Sequence, residues 1–370
     1  MTHPNPLCRL RQFGQSVWLD FIERGFVSRG ELAKMIAHDC VRGVTSNPAI
    51  FHKAIAEGSE YDEEIAAAAR AGLSLSETYD RLVVSDIQMA ADALRSIYEE
   101  SGGADGFVSL EVSPHLARDT ERTVTEGLRL FRLVDRPNVM IKVPATLEGL
   151  PAIRRLTAEG VNVNITLLFS VERYVAVADA YMSGLEQRLA AKQPIDHIAS
   201  VASFFLSRID TLVDRRLDAS REESARSLKG EAAIASARLA YRRYESIVDS
   251  ERWAALEGQG ARRQRLLWAS TSTKNPEYSD IKYVEPLIGR DTVTTLPLET
   301  LAAYKDHGNP AERIHDEPER ASEVLASLRR FSIDMHQVAA ELEEDGLKKF
   351  IEPFDATLKA LGERIHKLAS

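Results

Sequence analysis

The chain has 370 residues, 44% of them hydrophobic, enough to bury a large core in either one big α/β barrel or two ordinary domains. A formal net charge of -9 argues against a protein devoted to nucleic-acid phosphates, which needs a concentrated basic surface, whereas a small anion needs only two or three cations. Cys8 and Cys40 form no CxxC and the histidines form no HExxH, so neither a disulfide framework nor a metal site is expected.

The first residues, through Arg11, lack the apolar core of a signal peptide, and no run is long and apolar enough to span a bilayer. No membrane partner is expected, and the cytoplasm is the default location. Short apolar runs then recur, each followed by a polar or amphipathic stretch of helical length, which reads as repeated βα units. Strands are expected at 17–21, 43–47, 107–112, 138–143, 161–168, 197–203, 265–271 and 292–296. That number matches a closed (β/α)8 TIM barrel. Ser74 with Glu77 forms a capping-box pattern ahead of a helix whose apolar face includes Leu82, Val83, Ala90 and Leu94. Residues 209–264 are charged and alanine-rich and are expected to hold two helices and a loop. Residues 301–370 read as a C-terminal helical extension punctuated by Pro310, Pro318 and Pro353, placed to cap the barrel or contact a partner. With no repeat or long linker, 1–370 is expected to form a single domain.

Barrel strands normally read as Val, Ile and Leu runs, because one side meets the helices and the other fills the interior. Several of these strands carry polar residues on one alternating face: Asn162, Asn164 and Thr166 oppose Val163, Ile165 and Leu167, and Ser109 with Glu111 opposes Val108 and Leu110. Asp20 lies between Leu19 and Phe21, Thr45 and Asn47 precede Pro48, and Lys142 lies between Ile141 and Val143. If these faces point inward, an acid pair, an amine, amides and hydroxyls converge at the carboxyl ends of the strands, where barrel active sites sit. A lysine with a pKa near 10.4 is neutral in roughly one molecule per few thousand at pH 7, and only the neutral amine attacks a carbonyl. Burial is expected to lower that pKa at Lys142. Asp20 and Glu111 would oppose the shift, and are therefore expected to be held off or to act through water.

Taken together, Trp-Leu-Asp (18–20), Gly-Val-Thr-Ser-Asn-Pro (43–48), Ser-Leu-Glu-Val-Ser-Pro (109–114), Ile-Lys-Val-Pro-Ala-Thr (141–146), Asn-Val-Asn-Ile-Thr-Leu-Leu-Phe-Ser (162–170) and Ala-Ser-Phe-Phe-Leu-Ser-Arg-Ile-Asp (202–210) resemble the transaldolase family over roughly residues 15–300. The helical tail resembles the longer bacterial form. The resemblance implies a Schiff base between Lys142 and a ketose phosphate, with Asp20 moving the proton of the hydroxyl next to the broken bond. It implies that Glu111 acts through a water oriented by Thr166. Asn47, Thr45, Asn164, Ser203 and Phe205 would border the three-carbon fragment. Arg208 and Lys274 would hold phosphate, although much of the family has an arginine close behind the serine at the second of these places. The iminium would serve as the electron sink, so no cofactor or metal is implied. The partners implied are sugar phosphates, with the chain a monomer or homodimer. Rival readings are a class I aldolase that releases free dihydroxyacetone and a non-catalytic sugar-phosphate-binding barrel. Phe205 weighs against the aldolase, because related aldolases carry tyrosine there. No GxxxxGK or strand-linked GxGxxG supports nucleotide binding.

Overall fold

In the computed structural model, which describes residues 5–220 and 222–369, eight parallel strands close in sequence order into one barrel. They are β1 (Gln15–Leu19), β2 (Val41–Val44), β3 (Phe107–Glu111), β4 (Val139–Pro144), β5 (Val163–Leu168), β6 (Ser200–Phe205), β7 (Arg265–Ala269) and β8 (Thr292–Leu296). Closure comes from β1 pairing with β8, Gln15 beside Thr292 through Leu19 beside Leu296. Every expected strand is present, so this is the (β/α)8 barrel that the apolar runs predicted.

The boundaries differ where polar residues border a strand. β1 ends at Leu19 and β2 at Val44, so Asp20, Thr45 and Asn47 lie on the loops just beyond the strands. β7 stops at Ala269 because Ser270 takes a positive φ of 55°. Residues 209–264 hold more than the expected two helices. Helices Ser207–Ser220, Glu223–Arg226, Ala232–Val248 and Glu251–Glu257 occupy this region, divided by the left-handed Gly230 and by Ser250, whose hydroxyl caps the last of them. The capping box at Ser74 and Glu77 forms as predicted and starts the helix Leu75–Ala93.

The lower rim shows what polar strand residues do when they serve the fold. Asp105 is buried there, accepts from Trp18 Nε1 at 2.8 Å and from the Ser16 hydroxyl, and pairs with Arg42 and Arg265. A buried carboxylate compensated in this way is stable in place, and the N-terminal face of a barrel is where such structural networks belong. Gly43 is required beside this cluster, because a Cβ there would lie 2.4 Å from the Trp18 ring.

One expectation from the cysteines is corrected: Cys8 and Cys40 form a disulfide, with Cα atoms 5.1 Å apart. Their sequence separation of 32 residues hid the pairing. Asn5 brings them together: its side chain caps the turn Pro6–Arg9 through Leu7 N, and its amide donates to His38 O and Asp39 Oδ1.

The C-terminal helix, Met335–Ala369, crosses the carboxyl-end mouth of the barrel and packs on the helices Pro48–Glu57, Asp62–Arg70, Leu75–Ala93 and Ser207–Ser220, as well as on β5. Pro353, expected as punctuation, lies inside this helix, whereas Pro318 opens the helix Pro318–Leu328. Gly346 permits the close approach, since a Cβ there would come within 2.9 Å of Leu167 Cδ2. Among the described residues, no helix is long and apolar enough to cross a membrane.

Candidate active site

Strand register is what brings the candidate groups together. Glu111 pairs across the ladder with Lys142, and Lys142 with Asn164, so three consecutive strands offer an acid, an amine and an amide at one level. Neighbouring strands lie only about 4.8 Å apart, within reach of side chains that leave the same face. Lys142 is 5% exposed; its Nζ lies 2.6 Å from Glu111 Oε1 and donates to Ser46 O at 2.8 Å. The expectation that the acids are held off is therefore corrected for Glu111. Its contact with Lys142 is ionic, while neither Glu111 oxygen receives a well-directed hydrogen bond.

These groups surround a cavity of about 490 Å³ at the carboxyl ends of the strands, a size suited to a small ligand. Of the residues singled out from the sequence, Asp20, Thr45, Asn47, Lys142, Thr166, Ser203, Phe205, Arg208 and Lys274 line it. Glu111 and Asn164 do not. Glu111 borders an adjoining recess with Ser46, Asn47, Tyr79 and Phe354. Asn164 is fully buried behind the wall, where it accepts from Ser203 Oγ at 2.7 Å and donates to Ser109 Oγ at 2.9 Å. Its direct partners are thus the hydroxyls that it orients.

Each remaining side chain has a local anchor. Thr45 Oγ1 lies 2.8 Å from Asp20 Oδ1 and 2.7 Å from Thr295 Oγ1. Asn47 caps the helix Pro48–Glu57 by accepting from Ile50 N, which leaves its amide nitrogen to donate into the cavity. Thr166 Oγ1 is buried without a hydrogen-bond partner, directly before a β5 irregularity in which Leu167 takes a φ of 56°. Bulges of this kind re-aim side chains at barrel rims. Arg208 sits in the first turn of the helix Ser207–Ser220 with its guanidinium 5.4 Å from the centre of the Phe205 ring, a cation–π distance. Its Nη1 is buried and unpartnered. Lys274 is exposed on the loop after β7 and donates to Ser272 Oγ at 2.6 Å.

Burial dominates the electrostatics of the acids. Desolvation holds both Asp20 and Glu111 above the usual carboxylate range, and Lys142 is the largest influence pulling each of them back down. Burial also works against the charge of Arg208, which Asp345, Glu111 and Asp20 support in that order. Sequence reasoning missed Lys53, Glu299, Lys349 and Phe350 in the cavity wall. Lys53 had a readable signal, because Ala49, Ile50, Lys53 and Ala54 form one helical face following Asn47. The other three depend on long-range docking or loop geometry.

A lysine paired with a carboxylate on adjacent strands of a (β/α)8 barrel, with cations at the mouth, is an arrangement suited to carbonyl chemistry on anionic substrates. Comparison with known proteins is more specific. The model of the family Transaldolase/Fructose-6-phosphate aldolase matches residues 17–361. The chain is 47% identical over 374 residues to a transaldolase of Trichodesmium erythraeum, covering 98% of each chain. It is 48% identical over 362 residues to one of Thermobifida fusca, again covering 98% of each, and 47% identical over 376 residues to Transaldolase 2 of Nostoc punctiforme, covering 99% of each. The chain belongs to the transaldolase/fructose-6-phosphate aldolase family, and within it to the transaldolases.

Proposed function

We propose that this enzyme transfers a dihydroxyacetone unit between sugar phosphates through a Schiff base on Lys142. The donors are fructose 6-phosphate or sedoheptulose 7-phosphate, and the acceptors erythrose 4-phosphate or glyceraldehyde 3-phosphate. The observation that carries the reading is Lys142 Nζ, buried at the base of the cavity and 2.6 Å from Glu111 Oε1. The contact sets a carboxylate within reach of the amine that must act as nucleophile, so Glu111 is placed to relay the protons of imine formation.

The amine adds to the keto carbon, and the carbonyl oxygen leaves as water with protons supplied by Glu111. The Thr166 hydroxyl orients that water. Asp20 then removes the proton from the hydroxyl on the carbon beyond the bond to be broken. That carbon–carbon bond cleaves, its electron pair enters the iminium, and an aldose phosphate departs. The three-carbon enamine stays on Lys142, bordered by the Asn47 amide and the Ser203 hydroxyl. When an acceptor aldehyde arrives, the enamine carbon attacks it, Asp20 returns the proton, and water hydrolyses the imine. Arg208, with a planar fork suited to phosphate oxygens, and Lys274, a point charge, hold the terminal phosphate.

Phe205 favours transfer over simple cleavage. Its apolar ring lines the cavity and offers no proton to the carbanion, so the enamine persists until an acceptor arrives. Fructose 6-phosphate mixed with erythrose 4-phosphate is expected to yield sedoheptulose 7-phosphate as the main product, followed by chromatography and mass spectrometry. Free dihydroxyacetone as the dominant product, with acceptor present, would assign the enzyme to simple aldol cleavage. All proposed groups come from one chain, so a monomer or a homodimer is equally suited to the reaction. The barrel and its helical extension act as one domain under this reading, because the extension roofs the cavity. The expected location is the cytoplasm.

A further inference from the structure

The C-terminal helix presents Lys349 and Phe350 to the cavity, and Gly346 lies on the same helical face, three and four residues before them. A second groove of about 780 Å³ runs between this helix and Ser207–Ser220. Arg208, Lys274 and Lys349 line both spaces, so these three cations stand where the cavity opens into the groove. Arg208 Nη1 is buried there without a hydrogen-bond partner, under the backbone of Gly346. Lys349 pairs with Asp345 Oδ2 at 2.6 Å across one helical turn, and Asp345 is also the main electrostatic support of Arg208. Asp345 therefore serves two cations at once.

We propose that Lys349 is a third phosphate-binding cation, supplied by the helical extension and held by Asp345 until substrate phosphate arrives. The proposal rests on the sugar-phosphate reading of the same cavity and assigns the extension a part in substrate selection. The ammonium is free to exchange partners, because an exposed pair spaced i, i+4 is weak. Its side chain is 55% exposed and that of Asp345 42% exposed. A phosphate carrying close to two negative charges outcompetes one carboxylate for a cluster of cations, and its several acceptor oxygens can meet Arg208, Lys274 and Lys349 together. The arrangement also explains the long helix across the mouth: the phosphate end of an extended substrate lies beneath it, while the carbonyl reaches Lys142.

The test compares wild-type enzyme with Lys349→Ala and Lys349→Arg. The preference for fructose 6-phosphate over fructose, taken as the ratio of kcat/KM values, is expected to fall about tenfold in Lys349→Ala, the scale of one charge-assisted hydrogen bond. Lys349→Arg should recover most of it, and the loss should appear in KM for the phosphorylated sugar with kcat within about twofold. A preference within twofold of wild type in Lys349→Ala would overturn the proposal, whereas failure to trap Lys142 with borohydride would overturn the Schiff-base reading instead. Calorimetric binding of inorganic phosphate decides the cation's role without turnover. Weaker binding in Lys349→Ala supports the assignment, and unchanged binding refutes it.

Discussion

Replacing Lys142 by alanine is expected to lower kcat for transfer by at least about 10⁴-fold, the scale seen when a covalent nucleophile is removed, while leaving the barrel folded. Loss on that scale follows because no other described amine is placed beside a carboxylate in the cavity's floor; Lys53, Lys274 and Lys349 line its walls and mouth. The fold should survive because Glu111 need not remain a lone buried anion. Burial already holds its carboxyl above the usual range, and removing Lys142 deletes the largest influence that lowers it. The Glu111 carboxyl would then take up a proton instead of imposing an unpaired charge on the interior. Circular dichroism and steady-state rates on the same preparation check both halves. Activity within tenfold of wild type would remove Lys142 from the chemistry.

Asp20→Asn is expected to cut kcat by about 10²–10⁴-fold, the usual range for a general base, without lowering thermal stability at neutral or alkaline pH. The two effects share a cause. Desolvation raises the Asp20 pKa in the fold above its unfolded value, and Lys142 and the Thr45 hydroxyl only partly offset this. Below the unfolded pKa the carboxyl is protonated in both states and costs nothing. As pH rises through the raised folded value, the buried carboxylate forms and stability is lost. Asparagine removes that penalty, so its Tm relative to wild type, followed by calorimetry, should improve as pH rises. In the wild type, activity should fall as pH is lowered, over a range above that of an ordinary carboxyl, because only ionised Asp20 accepts the substrate proton. A stability difference that runs the opposite way with pH would contradict the assigned burial cost.

What the sequence revealed depended on how local the cause was. Period-two alternation identified Ser109, Glu111, Asn164 and Thr166 as members of polar faces, since alternation is a property of a single strand. Register then decided which of them meet, placing Glu111 beside Lys142. That pairing lay beyond any single strand, so the direct contact came as a correction. Asp20 and Thr45 lie on loops, because the strands end earlier than the apolar runs suggest. Asn164, expected to border the substrate fragment, is fully buried and hydrogen-bonds the Ser109 and Ser203 hydroxyls, a contact between strands that no single strand reveals. The Cys8–Cys40 pair and the presence of Lys349 in the cavity wall depend on segments far apart in sequence. No pattern within either segment announces its partner. The same holds for Pro353, which would mark a helix end by local rules, whereas the tertiary contacts of Met335–Ala369 carry the helix past it.

The Schiff base is tested most directly by adding borohydride to the wild-type enzyme in the presence of fructose 6-phosphate and locating the reduced adduct by peptide mass spectrometry. A single three-carbon unit fixed to Lys142 is predicted, with inactivation in proportion to labelling and no adduct in Lys142→Ala. An active enzyme that acquires no adduct, or that carries it on another lysine, would contradict the central claim.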